Sequence, residues 1–188
     1  MIFAHDTDET LVSTAELINS ADTEPDRLLD VAALDEFVRR WGWTGRIERN
    51  AAELEAVRAL RPRFRKFWEL DEAGVVELVN ELLREGPALP QLVKHDHRDY
   101  HLHATPRDAP LATRMAVEAA MAVVDVVRGK ELSRLRICDH PDCDFVVVDL
   151  SKNRSKRFCD DGCGNRAAVA AYRARKAGKR PERSTGTR

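Results

Sequence analysis

Four cysteines, Cys138, Cys143, Cys159 and Cys163, stand in the last third of this 188-residue chain. They form two close pairs, C-x4-C and C-x3-C, with fifteen residues between the pairs. Thiolates are soft ligands, and Zn²⁺ takes four such ligands at about 2.0–2.3 Å in a tetrahedron. One pair from a tight turn and a second returned by a hairpin would complete a single coordination sphere. A site closed by four thiolates is structural, because a catalytic zinc keeps one position open. The other readings of these residues are disulfides or four unrelated buried thiols. The chain opens Met1-Ile-Phe-Ala-His-Asp, without a basic region or a long apolar run, so the expected compartment is the reducing cytoplasm, which disfavours disulfides. His140, inside the first knuckle, is the alternative fourth ligand. Four thiolates leave the site formally dianionic, so nearby cations and N–H groups are expected around it.

The elements that must hold the two pairs are short. Pro141 inside the first pair suits a knuckle turn. Phe145 to Val148 is a run rich in β-branched residues and predicts a strand. Asp149 to Arg154 reads as a turn. Asp160 or Asp161 is expected to cap a helix that begins near Gly162, carries Cys163 in its first turn and runs to about Lys176. Val169 and Tyr172, three apart, are the only sizeable apolar residues of that helix and are expected to seat it on the ribbon, against Phe145 or Phe158.

Charge is divided along the chain. Its net charge is −1, but from Arg134 to Arg188 there are 14 Lys/Arg against 7 Asp/Glu, and before Arg134 there are 17 against 25. A basic end on an acidic body points to nucleic acid as partner. Lys152, Arg154, Lys156 and Arg157 fall on the hairpin loop, and Asn165, Arg166, Arg173, Arg175 and Lys176 on the helix. Together they are the candidate DNA contacts. Asn165 and Arg166 have a second reading, as groups that orient and neutralise the zinc site. A solvated charge run, or a tail docked on the acidic body, is the other account of the basic end.

Cys163-Gly-Asn-Arg166 is the signature of the CGNR zinc-finger family, and the likeness extends well beyond it. Leu135 to Cys138 and Phe145 to Asp149 resemble that family's first knuckle and strand, Ser151 to Cys159 its linker, and Arg166 to Arg173 its terminal helix. Proteins of this family carry an N-terminal domain described as a stress-induced transcription regulator. Leu17-Ile-Asn19-Ser20 sits where that domain has an apolar stretch ending in Asn. The resemblance implies a bacterial regulator with a DNA-binding zinc finger. Ala168 and Ala170 stand where many relatives have basic residues, and Asp160 and Asp161 place acids beside the second knuckle.

The front two thirds read as helices. Leu11, Ala15 and Ile18 form one stripe; Val31, Leu34, Phe37, Val38 and Trp41 a second, ending at Gly42. Asn50 with Glu53 three residues on opens a third, which Pro62 should kink or split. The fourth carries Val75, Leu78, Val79 and Leu82 and stops at Gly86-Pro87. The fifth, about 110–128, is the most apolar. Its polar residues Arg114, Glu118, Asp125 and Arg128 share one narrow stripe, so it is expected to be the central helix. Between the last two, 91–94 and 100–103 predict a small hairpin with Leu92 and Leu102 turned inward. It carries His95, His97, His101 and His103, either as a polar face or as a second metal site.

Phe37, Trp41, Phe64, Phe67 and Trp68 are expected in the core, with a ligand pocket as the other role for some. Arg61, Arg63, Arg65 and Lys66 read as a solvated face or an anion site. The fold class expected is therefore mainly α: a helical domain over 1–133 with a small β-hairpin, a zinc ribbon plus helix over 134–177, and a basic disordered tail over 178–188. No phosphate loop, nucleophile elbow or zinc-protease helix is present, and no enzyme is expected. No run approaches the roughly 18 apolar residues of a membrane span. The helical domain is expected to supply a small-molecule effector site, a homodimer contact, or both. The competing functional class is a ribbon that docks a protein partner without touching DNA.

Overall fold

The computed structural model describes residues 3–94 and 100–178. The molecule is mainly helical, with two small antiparallel hairpins and a C-terminal helix that follows the cysteines. In chain order the elements are α1 (His5–Asn19), a 3-10 turn (Ser20–Asp22), α2 (Val31–Arg40), α3 (Ala51–Arg58), α4 (Leu60–Glu69), α5 (Glu72–Glu85), β1 (Gln91–Val93), β2 (His101–His103), α6 (Leu111–Arg128), β3 (Leu135–Ile137), β4 (Val146–Val148) and α7 (Cys163–Gly178). A further 3-10 turn, Leu132–Arg134, leads from α6 into β3.

α2, α3 and α5 start on side-chain caps. Asp30, Asn50 and Asp71 each accept a backbone N–H three residues on, from Ala33, Glu53 and Gly74. Glu53 reaches back further than an ordinary capping box, accepting from the N–H groups of Glu48 and Arg49. Pro62 cannot donate to Arg58, and α3 ends at Arg58. Pro62 then falls in the first turn of α4, where no N–H is needed.

α6 is the central helix, packed by α1, α3, α4 and α5. Ten of its eighteen residues are buried, which only a helix covered on most sides achieves. At the end of α5, Gly86 meets α6 so closely that a Cβ there would collide with Val117. The polar stripe of α6 (Arg114, Glu118, Asp125 and Arg128) lines a cavity bounded by α1, the α2–α3 loop and the hairpin. Phe37, Phe64, Phe67 and Trp68 are in the core, whereas Trp41 is half-buried and lines that cavity.

Two expectations need correction. Leu92 and Leu102 face each other across β1 and β2 but are 63 % and 47 % exposed: a two-stranded hairpin at the rim has no layer behind it to cover that face. Of the Arg61 cluster, Lys66 lies on a solvated face as expected, but the three arginines are paired within the protein. Arg61 is buried and forks onto both oxygens of Asp26 at 2.7 and 3.0 Å, and that pairing holds the Asp26 carboxyl below its ordinary range. Arg63 bonds Glu81 and Glu85, and Arg65 bonds Asp22, Glu69 and the Asp144 carbonyl. The paired histidines fall mostly outside the described residues. His95, His97 and the side chain of His101 lie outside those residues, and His103 stands 3.9 Å from Glu118. The segment 179–188 is likewise outside them.

Candidate metal centre

β3 and β4 pair antiparallel with Leu135 opposite Val148 and Ile137 opposite Val146. β4 is buried on both faces, which accounts for its unbroken valine run. Val146 and Val148 pack into the helical core, while Val147 joins a second cluster with Phe145, Cys138, Cys159 and Cys163. Alternation along one three-residue strand therefore ties the core to the cysteines.

The four thiols converge. Their sulfurs all lie within 4.8 Å of one another, and Cys143 Sγ stands 3.8 Å from Cys159 Sγ. In a tetrahedron with metal–sulfur distances of about 2.3 Å, ligand atoms are about 3.8 Å apart, so the cluster has the size of one zinc coordination sphere. Cys163 is fully buried, and Cys138 accepts the backbone N–H of Cys159 at 3.4 Å. Burial pushes the Cys159 thiol up to about 12 and also raises Cys143. Against its own burial, Cys138 is lowered by backbone N–H groups. Buried thiols of this kind become thiolates when a cation compensates them, which is what a bound zinc supplies. His140 is not among the converging ligand atoms; its Nδ1 accepts the Asp142 N–H within the first knuckle.

The loop from β4 to the second knuckle is built on Asp149, which in the sequence reads as no more than the start of a turn. Its carboxylate is fully buried and accepts from Ser151 N at 2.9 Å, Ser151 Oγ at 2.5 Å and Lys156 N at 3.0 Å, with Arg136 at 3.7 Å. Its carbonyl takes the Arg134 guanidinium at 2.8 Å. The Asp-x-Ser pattern at 149–151 is an Asx-turn signal that could have found it. Burial alone would raise this carboxyl, yet its donors hold it below the ordinary 3.8. That stabilisation is complete above the unfolded value and is lost as pH falls through the lower folded one. Asp149→Asn keeps the shape but turns one acceptor into a donor facing N–H groups. It is expected to cost about 2–3 kcal/mol, to be measured by urea denaturation of the zinc-loaded protein at neutral pH, and to remove the share of acid-labile stability that Asp149 supplies.

Neither expected aspartate caps α7. Asp161 accepts from Arg27 at 2.8 Å and Asp160 from Lys156 at 2.9 Å. Gly162 makes the entry instead: its φ is +82°, where a side chain is strained, and its carbonyl takes the Arg166 N–H.

A family model described as “Putative stress-induced transcription regulator” (ABATE) matches residues 11–130, and one described as CGNR zinc finger matches residues 134–176. The chain belongs to the ABATE family. No curated protein matches it.

The CGNR finger is docked on the ABATE region by polar contacts as well as by valines. Asn19, the last residue of α1, donates to the Val146 carbonyl at 2.9 Å and accepts the Val146 N–H at 2.8 Å. Trp68 donates its indole N–H to the Val147 carbonyl at 3.0 Å. Arg65 holds the Asp144 carbonyl, and Arg27 both pairs with Asp161 and lies over the Phe145 ring.

The basic residues of the finger divide into two sets. Arg154 is paired with Glu131, Lys156 with Asp160, and Arg157 with Asp139. Arg166 donates to Cys163 Sγ at 2.8 Å, so it serves the thiolate cluster, while Asn165 faces solvent. Lys152, Arg173, Arg175 and Lys176 are exposed and have no carboxylate partner among the described residues. α7 is not seated on the ribbon as expected. Val169 and Tyr172 are 41 % and 59 % exposed, and every residue from Ala168 to Lys176 is exposed. Only its first turn is anchored, through Cys163 and the packing of Gly164 against Phe158.

Proposed function

We propose that this ABATE–CGNR protein is a transcription regulator that contacts DNA through its finger, with α7 as the reading element. The observation that carries this is the projecting helix. From Asn165 to Lys176 it holds no acidic residue, it is bare on all sides beyond its first turn, and Arg173, Arg175 and Lys176 are free to meet phosphates. This α-helix, with alanine at five of the twelve positions from Asn165 to Lys176, can enter a major groove, where Arg can bond guanine in a bidentate fashion. Exposed ion pairs are worth about 0–1 kcal/mol, so Arg154, Lys156 and Arg157 can exchange their carboxylates for phosphates at little cost. Non-specific dissociation constants on the order of 10⁻⁴–10⁻⁶ M at physiological salt are expected. The finger site is structural, closed by its four thiols, and the reading includes no catalytic step.

Fluorescence anisotropy on duplex DNA across a salt series tests this. Arg173→Ala and Lys176→Ala are each expected to flatten the log–log salt slope by roughly one unit without changing zinc content. Absence of binding at about 50 mM salt, where phosphate contacts are strong, would overturn the reading in favour of a protein partner.

A further inference from the structure

The cavity beside α6 has a volume of about 940 Å³, in the range of sites that take drug-sized ligands. Its wall is two-natured. Trp41 and Trp43 supply aromatic faces, and Trp41 is fixed in place because its indole N–H donates to Glu16 at 3.1 Å. Asp6, Glu9, Glu118 and Asp125 bring four carboxylates, all half-buried and each with a partner: Asp6 accepts the Thr7 N–H, Asp125 the Thr7 hydroxyl at 2.7 Å, Glu9 stands 3.5 Å from His5 and Glu118 3.9 Å from His103. Of the cavity's arginines, Arg107 and Arg128 lie exposed at the rim. Arg114 is buried, with its guanidinium bound to the carbonyls of Ala109, Thr44 and Arg46. Its donors are thus committed to backbone and do not form an anion clamp. Half-buried carboxylates beside aromatic faces attract positive charge, through Coulomb attraction at reduced dielectric and through the ring quadrupole.

We infer that this cavity is a binding site for an amphipathic organic cation, a molecule with an aromatic or branched apolar body and one delocalised or ammonium charge. The body lies against Trp41 and Trp43, and the charge is held among the carboxylates of α1 and α6. Binding needs no DNA contact, so the inference stands apart from the function proposed above.

Tetraphenylphosphonium and tetraphenylborate are near-isosteric probes of opposite charge. Each is titrated into the full-length, zinc-loaded protein by calorimetry and by tryptophan fluorescence. Tetraphenylphosphonium is expected to bind at roughly tens of micromolar or tighter, with quenching, and tetraphenylborate at least tenfold more weakly. Glu118→Gln, with an unchanged melting temperature, is expected to weaken the cation at least tenfold. Thr10→Lys puts a competing charge on α1 at the cavity wall and is expected to do the same, so the test survives if the first variant is unstable. Equal binding of the two probes, binding of neither, or cation affinity unchanged in both variants would overturn the inference.

Discussion

Cys163→Ser is expected to empty the metal site and to unfold the last part of the chain while leaving the helical body standing. Zinc analysis of the wild-type protein should give one metal per chain, and the variant less than about a tenth of that. Apparent zinc-binding energies in finger peptides run at about 10–16 kcal/mol, far above what the small cysteine-lined cluster can supply through its few apolar side chains. The second knuckle therefore depends on the metal for its place. Cys163 is the deepest of the four thiols and lies at the root of α7, so losing it should release the segment from about Ser151 onward. β3 and β4 should persist, because Leu135, Val146 and Val148 belong to the helical core. Limited proteolysis checks this directly: new cleavage is expected within 151–178, with a resistant fragment that includes α1 to β4. A chelator should reproduce the pattern in the wild-type protein. Acid should do the same, since thiolates must take up protons to release the ion. Stoichiometric zinc in the variant, or an unchanged digestion pattern, would contradict the assignment.

The metal cluster was legible because ligand chemistry constrains residue type and spacing directly. The central helix was legible because one narrow polar stripe on a helix of Ala, Val and Met requires cover on every remaining side. Other features had no local signature. Whether Val169 and Tyr172 are covered depends on what lies beside α7, and two apolar residues three apart look the same on a seated helix and on a projecting one. Leu92 and Leu102 face each other on a hairpin, but alternation indicates only that they share a face, and whether that face is covered is decided by distant chain. The docking of finger on body rests on pairs such as Asn19 with Val146 and Trp68 with Val147, which are 127 and 79 residues apart. Family likeness pointed to Asn19 without giving its role. The cavity, too, required knowing that the α6 stripe faces α1 and the tryptophan loop rather than water.

Asn19→Asp is expected to loosen the finger from the body without touching the zinc ligands. The Asn19 amide gives Val146 what a neighbouring strand would, one acceptor for its N–H and one donor for its carbonyl. Aspartate matches the shape and keeps the acceptor, but its second oxygen meets the Val146 carbonyl oxygen with no hydrogen between them. The carbonyl loses its partner and faces a negative charge, which should cost about 1–3 kcal/mol for the unmet group alone. Asn19→Leu removes both bonds and should cost more. Urea denaturation reads the loss of stability, and hydrogen exchange at the Val146 amide locates it: exchange there should accelerate in the leucine variant while the amides of α6 stay protected. Zinc content should remain at one per chain, which separates this effect from that of the cysteine variant. The position also bears on communication. α1 contributes Asp6, Thr7 and Glu9 to the cavity wall at its start and Asn19 to the finger at its end, so a single rigid helix touches both. A shift of α1 on ligand binding would reach β4 through this amide, and the aspartate variant is the one in which cavity occupancy should no longer alter protection of the finger. Undiminished stability and unchanged exchange in both variants would show that the Asn19 pair adds nothing to the valine packing and to the Trp68, Arg65 and Arg27 contacts that hold the two regions together.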